Sequence, residues 1–310
     1  MPVTAAQLHD AALRIEPFVV RTPVLRSDAF DDWVGTPTWC KSEHLQHAGA
    51  FKYRGATNAV RSLADDEAAR GVAAHSSGNH AAALALAART RNIPCHVVMP
   101  TNAPTSKRDR VRSYGATIVD CAPTESARVA ALREVVAITG AIEIHPYDND
   151  AVIAGAGTAA LEFISEVKLL RVIVVPVGGG GLLAGTSIAA AAAGVRTMAG
   201  EPFGADDAYR SFHAGKLIPQ TDPDTVADGL LTSLADRTFT IIKANVERII
   251  RVDEAQILEA QATVHMMLDQ RIEPSSAVAV AALRNARSEG IVAPETHCGV
   301  ILSGGNVATS

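Results

Sequence analysis

From residue 71 onward, short apolar runs and helical stretches alternate along the chain. Residues 71–76, 95–99, 116–121 and 141–144 read as strands, and 79–91, 104–114 and 124–139 between them as helices. Such alternation implies parallel βαβ units, because a parallel connection needs a crossover that a helix supplies. The rhythm continues with a helix over 150–168 and an unbroken apolar strand over 171–177, of the kind buried on both faces. Four glycines follow, then a helix of small residues over 182–193 and a strand over 195–200. Residues 201–229 are less regular, and beyond them 236–245, 253–270 and 275–288 read as helices, with strands at 246–252 and 298–302. Ahead of this repeat, Thr4 is placed to cap a helix carrying Leu8, Leu13 and Ile15 that Pro17 ends. RTPVLRS is extended, residues 36–43 alternate towards a strand, and 53–63 have helical spacing. The pattern predicts an α/β protein in which a smaller lobe, 71–147, is inserted into a larger one built from 1–70 and 148–310.

Composition narrows the function. At 310 residues the chain can bury an ample core without staples, and its four scattered cysteines form no C-x-x-C pair, which argues against a disulfide framework or a zinc site. A net charge of −5 with no basic block gives no footprint for nucleic acid or an anionic membrane. The N-terminus lacks an apolar signal core, and the alanine-rich runs are too short or too interrupted to span a bilayer. The expectation is a soluble, cytoplasmic protein with a small-molecule partner.

Three stretches carry candidate chemistry. In SEHLQHAGAFKYRGATNA, Lys52 lies between Phe51 and Tyr53 among glycines and small residues. Desolvation there favours the neutral amine, a nucleophile near neutral pH, although a lysine opening a helix can equally hold its ammonium in water. The strand, glycine run and helix around Gly178, Gly179, Gly180 and Gly181 form an anion cradle, since glycines let amides converge and the helix terminus adds its dipole. The run lacks the lysine and Ser/Thr of a P-loop and the dinucleotide fingerprint spacing. SSGNH, from Ser76 to His80, also joins a predicted strand to a helix, where α/β proteins bind ligands, or where Ser77 or Asn79 is simply an N-cap. Alone, LSGGN with Ser303 reads as a strand terminus.

Together these stretches resemble the fold-type II pyridoxal-phosphate enzymes, most closely the serine and threonine dehydratase and serine racemase family. GAFKYRGA, SSGNHAAA, VIAGAGT, VPVGGGGLLAG, GEPFGADD, ADG, IEPSSAVAVAA and LSGGN fall in the family's order along nearly the whole chain. The resemblance implies a two-lobed α/β fold of the tryptophan synthase β type, each lobe a mostly parallel sheet flanked by helices, and usually a homodimer. It implies that Lys52 forms the Schiff base, Phe51 packs by the cofactor ring, and Asn79 contacts the ring oxygen. Gly178 to Gly181 hold the phosphate and Ser303 meets the ring nitrogen. Ser76, Ser77, Gly78, Asn79 and His80 receive the substrate carboxylate.

The implied activity is dehydration and deamination of a β-hydroxy amino acid such as serine, threonine or 3-hydroxyaspartate to a 2-oxo acid and ammonia. Ser77 matches the position that reprotonates Cα in racemases, so racemisation, as a side or main activity, stays open. HPYDND with Tyr147 instead resembles the dehydratase version of its segment. Glu201, the Ala205 carbonyl and Asp207 match the family's divalent-cation site, whose hard oxygens suit magnesium, calcium or manganese. A β-replacement synthase would usually carry SGNTG where this chain has SGNH. A non-catalytic, ligand-binding member is the alternative from another class.

Overall fold

The computed structural model describes residues 3–307. Thr4 closes a capping box with Gln7 at the head of α1 (Ala5–Ile15), which buries Leu8, Ala11 and Ile15. Leu13, expected on the same stripe, faces solvent. The extended lead-in contains β1 (Val24–Leu25), and Ser27 caps a helix the pattern did not reveal, α2 (Asp28–Val34). Then come β2 (Thr38–Lys41), α3 (Lys52–Ser62) and a short α4 (Asp65–Ala69).

The predicted βαβ repeat is present as β3 (Val72–His75), α5 (Asn79–Arg91), β4 (Cys95–Pro100), α6 (Thr105–Ser113), β5 (Thr117–Cys121), α7 (Glu125–Thr139) and β6 (Ile142–Glu143). These strands form a fully parallel sheet in the order β5-β4-β3-β6. Alternate residues serve opposite faces: Val72 and Ala74 meet α5, while Ala73 joins Leu132 and Val135 of α7. Tyr53, Ala56, Ala59 and Val60 of α3 also enter the apolar cluster on the α5 face. The helix that begins with Lys52 is therefore packed against α5, which covers one face of the smaller sheet, and against α8 (Asp150–Glu166) in the larger part of the chain.

The remaining elements are α8 (Asp150–Glu166), β7 (Val172–Pro176), α9 (Gly181–Ala192), β8 (Arg196–Pro202), α10 (Asp207–Ala214), α11 (Asp236–Asn245), β9 (Arg248–Val252), α12 (Glu254–Leu268), α13 (Pro274–Ser288) and β10 (Cys298–Ile301). Six strands form the larger sheet in the order β1-β2-β10-β7-β8-β9, parallel except where β1 meets β2. β7 is buried throughout: Ile173 and Val175 face α8 and α9, and Val172 and Val174 face α13. α10 lies in a stretch expected to be irregular. Its start is tied down by Glu201, whose carboxylate accepts the Ala208 and Tyr209 amides at 2.9 and 2.7 Å.

Three helices meet backbone to backbone. A Cβ at Gly155 of α8 would lie 2.6 Å from the Arg54 carbonyl oxygen of α3, and one at Gly185 of α9 would lie 2.5 Å from the Ile153 carbonyl oxygen of α8. No side chain fits at either crossing. The contacts join the helix headed by Lys52 to the helix headed by the glycine run. No helix among the described residues is long and apolar enough to cross a membrane.

Candidate active site

The segments singled out above follow the C-terminal ends of parallel strands, the edge where open α/β sheets bind ligands. Lys52 opens α3, and its Nζ donates to the Pro146 carbonyl at 2.9 Å. The ammonium lies 5.1 Å from the Phe51 ring centre and 6.0 Å from that of Tyr147. Burial lowers its pKa to about 8, against the upward pull of the Glu273 carboxylate. Near that pH half of the amine is free base, a nucleophile and a proton acceptor.

Phe51 is stitched to the last strand, since its amide donates to the Ser303 carbonyl at 3.0 Å and Ala50 bridges Gly304. Ser303 is buried, and its hydroxyl lies 3.1 Å from that of Ser276 on α13. Asn79 reaches the same place from α5. Its Nδ2 donates to both Glu273 oxygens at 3.0 Å, and its Oδ1 accepts from Asn306 Nδ2 at 2.8 Å. Burial raises the Glu273 pKa, and the Asn79 bond opposes this. Sequence reasoning passed over Glu273 and Ser276. The available signal was a carboxylate before Pro274 at a helix start, a pairing that resembles ordinary capping.

Each glycine of the run has a neighbour that a side chain would strike. A Cβ at Gly179 would lie 2.2 Å from the Tyr147 ring, one at Gly178 would lie 2.9 Å from Leu230, and Gly180 has φ +85°. Close packing thus accounts for more of the run than expected from the sequence. It leaves the amides free: among the described residues those of Gly178, Gly179 and Gly180 donate to no other group, and α9 starts without a side-chain cap. Buried N–H groups without acceptors at a helix start are donors awaiting an anion.

The 145–149 loop closes this side. His145 Nδ1 accepts the Asp148 amide at 2.9 Å, and burial lowers the ring's pKa to about 4. It is therefore neutral at pH 7, with its proton on Nε2. Burial pushes the Tyr147 phenol up to about 12. In the SSGNH loop, Ser76 Oγ accepts the Gly78 amide at 3.2 Å, and Ser76 and Ser77 are half-buried. The His80 ring points away from the loop: it is buried, its Nε2 meets the Ile144 carbonyl at 2.9 Å, and burial lowers its pKa to about 3. The imidazole is a strut between α5 and β6.

The expected cation ligands lie together at the end of β8. Glu201, Ala205 and Asp207 are buried, and Asp207 Oδ2 accepts the Leu234 amide at 2.9 Å while Oδ1 has no partner. Burial raises the pKa of Glu201 well above the carboxylate range and that of Asp207 to about 6. Two buried acids with an orphaned oxygen suit a hard cation. Among the described residues no three His, Cys, Asp or Glu side chains converge on one point, so backbone oxygen and water would have to complete the shell.

A family model described as pyridoxal-phosphate-dependent enzyme matches residues 15–304. The chain belongs to this family. It is 46% identical over 297 residues to a beta-hydroxyaspartate dehydratase of Paracoccus denitrificans (strain Pd 1222), covering 95% of this chain and 93% of that protein. It is 43% identical over 310 residues to a serine racemase of Oryza sativa subsp. indica, covering 98% and 91%. Among solved structures, a maize serine racemase superposes with a TM-score of 0.96 at 40% identity, over 99% of this chain and 95% of that one. The residues present fit the family's cofactor: a lysine amine with a lowered pKa, uncommitted amides for a phosphate, and a buried hydroxyl across the site. The protein is a pyridoxal-phosphate-dependent α/β enzyme of the fold-type II class.

Proposed function

We propose that this enzyme dehydrates and deaminates a small β-hydroxy amino acid, such as serine, threonine or 3-hydroxyaspartate, to a 2-oxo acid and ammonia. The observation that carries the reading is Lys52, a half-buried amine poised near pH 8 between Phe51, Tyr147 and the amide cradle. Bound pyridoxal phosphate supplies the electron sink that makes the substrate's Cα proton acidic. Lys52 anchors the cofactor and, once released, takes that proton as a free base. Gly178 to Gly181 would hold the phosphate, Asn79 the ring oxygen, and Ser303 the ring nitrogen. The loop of residues 76–80 would receive the substrate carboxylate. Loss of the β-hydroxyl as water leaves an enamine that hydrolyses to the products.

The similar dehydratase and racemase support this chemistry, and Ser77 favours racemisation as a second activity, with its hydroxyl returning a proton to the other face of Cα. A divalent cation at Glu201, Ala205 and Asp207 would stabilise α10 without touching substrate. We further read the protein as a cytoplasmic homodimer whose smaller lobe, 71–147, closes over substrate. Borohydride reduction followed by peptide mapping tests the core of the proposal. A cofactor adduct on Lys52, with 2-oxo acid and ammonia released from the β-hydroxy amino acids, is expected; an unlabelled Lys52 refutes it. Ser77→Ala should abolish D-isomer formation while leaving dehydration of the L-isomer within about threefold, and equal loss of both would refute the face-specific role.

A further inference from the structure

Glu273 stands at the head of α13 and Asn306 beyond the last strand, and the cofactor chemistry above gives neither a task. Both reach Asn79, the first residue of α5, from opposite ends of its amide. Asn306 Nδ2 lies 2.9 Å from the Ala48 carbonyl and 2.8 Å from Asn79 Oδ1. Asn79 Nδ2 lies 3.0 Å from each Glu273 oxygen. The Ala48 carbonyl can only accept, so Asn306 turns its nitrogen and not its oxygen to this side. The end of Asn79 that meets this nitrogen is therefore the oxygen, and the Asn79 nitrogen is left for Glu273. That carboxylate also accepts the Asn306 backbone amide. Turning the Asn79 amide end for end would set N–H against N–H at Asn306 and lone pair against lone pair at Glu273.

Both ends of this lock are housed. The Glu273 side chain is buried and caps none of the amides of its own helix. A Cβ at Gly304 would lie 2.5 Å from Glu273 Oε1, and one at Gly49 would lie 2.3 Å from Asn306 Oδ1. We propose that Glu273 and Asn306 are positioning residues that fix the Asn79 amide in one sense, so that it meets the cofactor ring oxygen as a hydrogen-bond donor and holds that oxygen ionised. This rests on the reading of Asn79 as the partner of the ring oxygen. An asparagine free to turn would offer its carbonyl equally well, and an oxygen facing a carbonyl has to keep its proton. The lock removes that choice.

The test is the absorption spectrum of the cofactor-saturated enzyme at pH 7. Bound cofactor with an ionised ring oxygen absorbs in the visible, and with a protonated one in the near ultraviolet. The wild type should hold mostly the visible form. Glu273→Met and Asn306→Ala each remove one end of the lock and should each lower the ratio of visible to ultraviolet form. Together they should lower it at least about tenfold, as expected for losing a hydrogen bond to a charged group, and approach Asn79→Ala. Glu273→Gln can still present an oxygen to Asn79 Nδ2 and should stay within about threefold of the wild type. Asn306→Ala tests the other end if Glu273→Met fails to fold. A ratio that falls in Asn79→Ala but not in the double variant overturns the proposal alone. A ratio indifferent to all of these substitutions overturns the ring-oxygen reading as well. A loss in Glu273→Gln equal to that in Glu273→Met also overturns the proposal, since charge and not the sense of the amide would then be at work.

Discussion

Arg54, two residues into the helix that begins with Lys52, is the largest fully buried side chain among the described residues. Its guanidinium meets Glu43 at 2.7 and 2.8 Å and Glu162 at 2.7 and 2.8 Å, two forked contacts on one cation. Burial alone would lower its pKa, but the carboxylates win and raise it. Arg54→Met removes the cation and leaves Glu43, itself fully buried, with the Thr22 hydroxyl at 2.6 Å. Glu162 is better placed, since Lys41 remains 2.9 Å away. Breaking a buried pair from one side costs about 3–5 kcal/mol. With an unfolding entropy of about 2.1 cal/mol/K per residue, that lowers Tm by roughly 5–8 °C. Denaturant unfolding of the cofactor-saturated protein measures the loss directly. Adding Glu43→Gln removes the stranded charge and should restore about 1–2 kcal/mol. A single variant that loses under about 1 kcal/mol, or a pair whose effects simply add, would refute the view that Arg54 and Glu43 act as one coupled buried pair.

Three further outcomes are expected. Cofactor condensation with the protein should speed up as pH rises through about 8, because only deprotonated Lys52 reacts; Glu273→Gln removes a charge that raises this pKa, so the midpoint should fall by on the order of one pH unit, read by stopped-flow absorbance. Gly179→Ala drives a methyl into the Tyr147 ring at 2.2 Å and should weaken cofactor binding at least about tenfold, while Ser77→Ala leaves binding unchanged; equilibrium dialysis compares them. EDTA should lower Tm by a few degrees, roughly 2–4 °C, with magnesium or calcium restoring it, and Glu201→Gln should be insensitive to both in the same thermal scan.

The βαβ rhythm was legible because buried parallel strands are continuous apolar runs and their crossover helices are long. Asn79–Arg91 and Asp236–Asn245 fall where the pattern placed them. α2 and α10 were not legible, since seven- and eight-residue helices give too few turns for a period. α10 also owes its start to Glu201, a residue of the preceding strand. The segments of the proposed site were legible as motifs, and the structure ties three of them together: Phe51 bonds Ser303, Gly304 bonds Glu273, and Glu273 bonds Asn79. Hidden from the sequence was which polar groups satisfy one another. His80 and Ser276 are both polar residues beside recognised motifs, yet the first is spent on the Ile144 carbonyl and the second reaches Ser303. Only the packing distinguishes them.

The crossings at Gly155 and Gly185 act as a gauge block. The amine at the head of α3 and the cradle at the head of α9 are spaced by bare main chain, with no side chain between them that could grow or shrink. Variation can therefore redraw the loops that meet the substrate while the interval between lysine and phosphate stays the same. A change of even one methyl group at those glycines would alter that interval for every substrate at once. New specificities in this protein would have to arise away from those two crossings.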